Sequence, residues 1–403
     1  MKRLRLLGVL GTGLLLGTGC ATRHASTAPA SAPADTDEAR LERAALGLRG
    51  PEREASLADL EKLSRQLEAR VGKSPQDARL HALLARVEFL LHRGDWGLEE
   101  AERALALAPE LAEPHYIKAF LRGGGDQPEA ALADALRATE LEPQRSRYWH
   151  LLGTLYLQLD RPAEARTAID RTLALEPRNA QALFLLGLLH MDQGKPQEAL
   201  EAYEKAREAE PGFTLAHYNA GQLRQLRGES ALALECFQKA ADLEPQDWKT
   251  RAKLVQLHQA LGNKKQRDTE REAVLLLHQA GKVDKDYFIR DQFQESGRNV
   301  MVVENFELVG DWAKRYEFQV YEPDKEQPAF VVSLGSYAFA NAFVREKNPS
   351  APRVFHLDGY YPGNVHKTFG FFESEPSYDE TREMLVSILR GELKPQSSTN
   401  PRQ

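Results

Sequence analysis

Four residues near the end of the chain are the first to suggest chemistry. His356 and Asp358, with His366 and Glu373, bring two imidazoles and two carboxylates into one short stretch. On a strand, alternation puts His356 and Asp358 on the same face, and His366 falls across a turn from them. Two histidines and a carboxylate on neighbouring strands are a donor set for a divalent metal. The same residues beside Tyr360-Tyr361 also suit a hairpin of exposed or hydrogen-bonded polar groups. We take that plainer role for them and expect no metal and no other cofactor.

The remaining signals for chemistry are broken ones. Arg122-Gly123-Gly124-Gly125 is glycine-rich, but no Gly-Lys-Ser/Thr follows to hold a phosphate. Leu334-Gly335-Ser336-Tyr337 lacks the second glycine of a nucleophile elbow. Cys236, beside Phe237, reads as a small packing residue. No catalytic residue is assigned, and no enzyme is expected.

The bulk composition agrees. The chain has 403 residues, 53 Lys+Arg against 59 Asp+Glu, and a formal charge of −6. A partner in nucleic acid calls for a basic patch, which the balance does not offer. Two cysteines exclude a disulfide-dense scaffold and a cysteine-based zinc cluster.

The N-terminus carries an address. Met1-Lys2-Arg3-Leu4-Arg5 is a basic head, Leu6 to Leu16 is uncharged, and Gly17-Thr18-Gly19-Cys20 follows. The apolar run is too short for a spanning helix, which needs ~20 residues. Basic head, short apolar run and small residues make a secretory signal. The cysteine after the small residues resembles a bacterial lipobox, with Gly17 standing where Leu16 would be expected. That resemblance implies cleavage after residue 19, lipidation (palmitate among the acyl groups) at Cys20, and, with Ala21 next, the outer membrane. More than one acyl chain gives stable anchoring. Residues 20–36, rich in Ala, Ser, Thr and Pro, are expected to be a disordered tether.

The prolines then set a period. Pro75, Pro109, Pro143, Pro177, Pro211 and Pro245 lie 34 residues apart, and Gly194, Gly228 and Gly262 repeat at the same spacing. From Ser146, Trp149, Leu152, Gly153 and Tyr156 precede Ala165, Ile169 and Pro177. The next copy has Leu183, Leu186, Gly187, Ala199, Tyr203, Ala206 and Pro211, and the third has Gly221, Ala233, Phe237, Ala240 and Pro245. This pattern resembles the tetratricopeptide repeat, a helix–turn–helix unit of ~34 residues. Small residues at 153, 165, 187 and 221 let paired helices approach closely. Proline ends each second helix. No unit covers its apolar face alone, so the units stack.

Five repeats are expected over 78–247, after capping helices in 37–77, where Leu57, Leu60, Leu63 and Leu67 share a face. Residues 248–281 read as a degenerate pair. There Arg267 and Arg271 replace small or apolar slots, as suits a cap with a polar outer face. The resemblance also implies that the first helices line a groove for a protein or peptide segment. Its positions would be Arg147, His150, Thr154 and Leu157, then Gln181, Phe184, Leu188 and Met191, then Leu215, Tyr218 and Gln222. Chaperone-binding members hold a terminal carboxylate with paired Lys and Asn. His150 and Thr154 stand in those slots here, so an apolar segment against Phe184, Leu188, Met191 and Tyr218 is the better expectation.

After Lys282 the pattern changes. Nineteen aromatic residues fall between Asp284 and Leu393. Alternation marks strands at Tyr316–Phe318–Val320 and Phe330–Val332–Leu334, and further strands are expected over 300–309, 353–361 and 367–373. Residues 337–347 fit either helix or strand, and 378–390 fit a helix. The fold class is therefore mostly α: a solenoid of helical repeats, then a small α+β domain at 284–393 with a mostly antiparallel sheet, and a disordered tail at 394–403. The expected function is a non-enzymatic, membrane-anchored scaffold on the periplasmic side of a bacterial outer membrane, binding a protein partner and assisting an envelope machine. The rival is an enzyme or ligand-binding module in 284–393, with the repeats as a targeting arm.

Overall fold

The computed structural model describes residues 36–48, 52–123, 128–283, 287–305, 312–323, 325–337, 354–363, 365–372 and 375–395. The signal at 1–19, Cys20, most of the tether, Gly124 and Gly125, Glu373, residues 338–347 and most of the tail lie outside the described residues. Fourteen helices come first: α1 (Asp37–Gly47), α2 (Arg53–Lys73), α3 (Ala78–Leu90), α4 (Gly94–Leu107), α5 (Ala112–Gly123), α6 (Pro128–Leu141), α7 (Ser146–Gln158), α8 (Pro162–Leu175), α9 (Ala180–Asp192), α10 (Pro196–Ala209), α11 (Thr214–Leu226), α12 (Ser230–Leu243), α13 (Trp248–Ala260) and α14 (Lys264–Gln279). Six strands and a last helix follow: β1 (Tyr287–Glu295), β2 (Arg298–Asn305), β3 (Trp312–Tyr321), β4 (Phe330–Tyr337), β5 (Val354–Tyr361), β6 (Val365–Phe372) and α15 (Tyr378–Leu389). The chain divides into two compact units, Met1–Leu223 and Arg224–Gln403. Among the described residues no helix is long and apolar enough to cross a membrane.

Each proline of the series sits second in a β-turn. Asp77 N–H donates to Ser74 O at 3.1 Å, and the same bond recurs at Arg145, Asn179, Phe213 and Asp247. Proline presets φ for that position and forces the residue before it to be extended. Glu176 and Glu210 accordingly have φ of −135° and −138°. The glycine series marks a second fixed point. Gly194, Gly228 and Gly262 take φ of 71°, 74° and 73° just after the first helix of their repeats. Earlier repeats put His92 (58°) and Asp160 (57°) in the same left-handed place. The bond pattern is the same in all: Lys195 N–H donates to His190 O and Arg161 N–H to Tyr156 O, both at 2.8 Å. This is a helix C-terminus closed by a left-handed residue, a place glycine fills without strain.

In the first unit, one apolar core runs from Leu41 to Leu189 along the stacked helices. Leu60, Leu63 and Leu67 of α2 are buried in it, as their spacing predicts. Small residues decide how close the helices come. A Cβ on Gly187 would lie 2.3 Å from the Tyr203 ring, and one on Gly153 3.2 Å from Ile169.

In the second unit, the strands form one antiparallel meander in the order β1-β2-β3-β4-β5-β6. Val302, Phe318, Val332 and Leu357 are fully buried on one face, joined by Tyr378 and Leu385 of α15. Ser377 and Glu380 form a capping box that starts α15. β1 is a strand that alternation does not reveal. Arg290 has no register partner in β2, because the register jumps between Ile289 and Asp291. This bulge puts Arg290 and Asp291 both inside, so two charged residues stand where alternation would place one.

The expectation that Arg267 and Arg271 form a polar outer face is corrected. Arg267 is buried and donates to Gln259 at 2.8 Å and Asp379 at 3.1 Å. Arg271 Nε donates to Glu304 at 2.8 Å. Gln256 Nε2 donates to Ile289 O at 2.6 Å, and Phe288 packs with Ala252, Val255 and Val274. Helices α13 and α14 thus dock on the sheet with their charged positions turned inward. At the centre Glu304, fully buried, accepts from both Arg271 and Arg290. Arg290 lies over the Tyr378 ring at 4.1 Å, and the Tyr378 hydroxyl donates to Asp291 at 2.6 Å.

Candidate partner-binding face

The first helices of the repeats build one side of the first unit: α3 packs on α5, α5 on α7 and α7 on α9. A recurring clasp fixes their starts. Six residues after five of the six turn prolines, a donor reaches back to that proline's carbonyl; after Pro177 the place holds Leu183. His81 Nε2 meets Pro75 O at 3.1 Å, His115 Nε2 meets Pro109 O at 3.0 Å, Trp149 Nε1 donates to Pro143 O at 2.9 Å, and His217 Nε2 meets Pro211 O at 2.9 Å. In the second unit Arg251 Nε donates to Pro245 O at 2.8 Å. Where the donor is a histidine or arginine with a free second nitrogen to satisfy, a carboxylate often stands nineteen residues on. His81 pairs with Glu100 (2.5 Å), His115 with Asp134 (2.7 Å) and Arg251 with Glu270 (2.7 Å). Where the donor is Trp149, which has only one polar atom, the matching place holds Ala168. Burial raises the Asp134 carboxyl, but hydrogen bonds from His115 and Lys118 outweigh it and hold it below its usual range.

A ladder of alternating charge crosses the first helices. Glu42 of α1 accepts from Arg86 of α3 at 2.9 Å, Arg86 reaches Glu113 of α5 at 3.4 Å, and Glu113 accepts from Arg147 of α7. The Tyr148 hydroxyl also donates to Glu113, at 2.7 Å. Burial would raise Glu113, yet Arg147, Arg86 and Tyr148 together hold it below its usual value. Arg147 lies 5.3 Å from the ring centres of both Tyr116 and Tyr148. Tyr116 in turn packs among Phe89, Phe120 and Tyr148.

The predicted groove residues divide accordingly. Arg147 sits on the first-helix side, half-buried, but its guanidinium is committed to Glu113 and two tyrosines. His150 is 7% exposed, and burial pushes its pKa down to about 4, so it is neutral at pH 7. Thr154 and Leu157 are buried with it. Phe184 is 3% exposed, with ring centres 5.4 Å from Tyr203 and 5.2 Å from Phe213. These places do not match the expectation that His150 and Phe184 face a partner: position five of the first helix is here a core position. Leu188 and Met191 on α9, and Tyr218 on α11, are half-buried and keep part of their surface open.

The C-terminal candidates do come together. Asp358 accepts from Thr368 Oγ1 at 2.7 Å, pairs with His356, and lies 3.3 Å from His366 Nε2. His356 and Asp358 are each 1% exposed, whereas the His366 ring is open to solvent and stacks on Tyr360. Burial raises the Asp358 carboxyl, and its hydrogen bonds and the two imidazoles hold it lower. The carboxylate is thus the hub of a hydrogen-bonded hairpin. Among the described residues no group of three His, Cys, Asp or Glu is arranged to hold a metal.

Sequence reasoning missed the clasp, the charge ladder and the Glu304 cluster. The clasp had a signal: a donor six residues after every proline of the series but Pro177, with an acid nineteen further on from His81, His115 and Arg251. The ladder had a weaker one, in the alternation of sign at Glu42, Arg86, Glu113 and Arg147.

Comparison with known proteins rests on the helical part. No curated protein matches the chain. Among solved structures, a chain of the APC/C hetero-tetramer Cut9-Hcn1 is 15% identical over 60% of this chain, with a TM-score of 0.51, and the match spans only 46% of that chain. Pseudomonas aeruginosa pilF is 16% identical over 53% of this chain and 100% of its own, with a TM-score of 0.46. YrrB, described as a TPR protein with an unusual peptide-binding site, is 22% identical over 46% of this chain and 95% of its own, with a TM-score of 0.37. At such identities these likenesses concern the fold alone. Segments 119–174, 150–212 and 184–247 match the family model of the tetratricopeptide repeat. With the 34-residue spacing, the paired helices and that match in agreement, the helical array of this chain is built of tetratricopeptide repeats.

Proposed function

We propose that this chain is a non-enzymatic scaffold, held by a lipidated Cys20 on the periplasmic side of a bacterial outer membrane, that captures an apolar segment of a partner protein and assists assembly of an envelope machine. Tetratricopeptide repeats generally mediate protein–protein contacts. The observation that carries the reading is that Leu188, Met191 and Tyr218, at expected groove positions of α9 and α11, stay half-buried and keep part of their apolar surface open. Anchored aromatic and aliphatic side chains of this kind dominate binding when a partner covers them. The basic head, short apolar run and Cys20 support the anchor.

Two measurements test it. In cells fed labelled palmitate, the chain should take up label and Cys20→Ser should not; equal labelling removes the anchor. Cross-linking followed by mass spectrometry should give one dominant envelope protein with the intact chain. Leu188→Asp with Met191→Asp should lose that protein while the far-ultraviolet circular dichroism stays unchanged. The same protein captured equally by the folded double variant would sink the binding face.

A further inference from the structure

A second surface lies in the C-terminal unit, and it carries the opposite kind of signal. Between the end of β6 and the outer side of α15 runs a groove of about 620 Å³. Phe372, Pro376, Met384 and Leu393 form its floor, all half-buried, and Glu375, Glu380 and Glu383 stand exposed around it. The volume falls in the range of ligand sites, ~300–1,000 Å³, which is room for two or three side chains.

The three carboxylates are not equivalent. Glu375 is neutralised by Arg315 at 2.7 Å. Glu380 is fixed in place by the Ser377 N–H and hydroxyl, both at 2.7 Å, as part of the helix cap. Glu383 makes no ion pair among the described residues. Glu380 and Glu383 are three apart on α15 and therefore lie side by side, an arrangement of like charges that weakens a helix. No cation lines the groove among the described residues. An apolar floor that includes a thioether adapts to varied apolar side chains, and the unneutralised pair above it is complementary to a cation. We infer that this groove docks a basic amphipathic peptide segment of a partner protein, an Arg or Lys against Glu380 and Glu383 with a large apolar side chain on Phe372 and Met384. The inference does not depend on the scaffold reading or on the repeat face, and it gives the chain a second contact of different chemistry.

The test uses the full chain in detergent and a fluorescein-labelled hexapeptide Lys-Leu-Arg-Phe-Lys-Leu, followed by anisotropy. The peptide should bind, more weakly at 300 mM than at 50 mM salt. Glu383→Lys should weaken binding at least tenfold and Glu383→Gln severalfold, since both change an exposed side chain and leave the fold intact. Glu201→Lys, the same charge change at an exposed position of α10, should leave binding within twofold. Four results overturn the inference: no binding; equal binding of the analogue with Glu for each basic residue; equal loss in Glu201→Lys; or full displacement by spermidine at the peptide's own concentration, which makes the groove a polyamine site. A dimer that Glu383→Lys dissociates would likewise overturn it, by naming a second copy as the occupant.

Discussion

The repeats of the first unit and the sheet of the second handle buried charge in opposite ways. The repeats distribute it. The clasps of His81 and His115 are small closed sets: one ring, one proline carbonyl, one carboxylate, with partners six and nineteen residues away. The second unit pools it. Glu304 gathers Arg271 and Arg290, and Arg290 leads through Tyr378 to Asp291 and Arg382, which lies 3.2 Å from Asp291. A distributed set loses one part at a time, whereas a pooled set fails together. Removing one partner of a buried ion pair strands the others without compensation.

The sharpest way to break this contrast is Glu304→Gln. Buried Arg290 and half-buried Arg271 would face each other without their shared carboxylate, at a cost of about 3–5 kcal/mol. Hydrogen exchange should speed up in β1, β2 and α14, with the amides of α3–α9 unchanged. Equal acceleration in α3–α9 would erase the distinction between the two regions. Next comes Gly187→Ala, which drives a methyl against the Tyr203 ring and should cost about 2–3 kcal/mol in denaturant unfolding. Gly153→Ala meets Ile169 at a longer distance and should cost clearly less. Equal costs would show that contact distance does not set helix spacing here.

A pH series comes third. His150 takes up a proton near pH 6.5 when unfolded but only near pH 4 when folded. The unfolded state therefore binds more protons between these values, and stability falls as the pH falls. From pH 7.5 to 5 the loss from this residue should be about 2 kcal/mol, and His150→Leu should flatten that part of the curve. Glu113, Asp134 and Asp358, all held low, act later: their contributions are present above their unfolded values and fade only in stronger acid. An unchanged slope in His150→Leu would refute the assignment. The smallest effect is expected from His115→Phe, about 1 kcal/mol, because Lys118 still holds Asp134 at 2.9 Å. A loss of 3 kcal/mol or more there would mean that the clasps are as interdependent as the Glu304 cluster.

The same contrast explains what could be read from the residues. The repeats were legible because their determinants recur: Pro143 and Pro177 stand in the same turn, and Gly194 and Gly228 in the same helix end. The face of β3 was legible because Tyr316, Phe318 and Val320 alternate and are all buried. β1 was not, because the bulge at Arg290 breaks the alternation. The role of Arg267 was hidden for another reason. Its partner Asp379 is 112 residues away, and an arginine in a helix that otherwise reads as a cap gives no hint of what it faces. The groove was half legible. Repeat phase put Phe184 and Leu188 on the first-helix side, but how deep each side chain sits depends on its neighbours, here Tyr203 and Phe213.

The alternation Glu42, Arg86, Glu113, Arg147 has a consequence for how this gene can change length. Excising one 34-residue copy, 112–145, would bring Arg147 to the place of Glu113 and set it against Arg86 in a half-buried place. Excising two, 112–179, would bring Gln181 there, which removes the conflict without restoring the ion pair. In this part of the array, the number of copies lost decides whether Arg86 meets a like charge, a neutral amide or its acid.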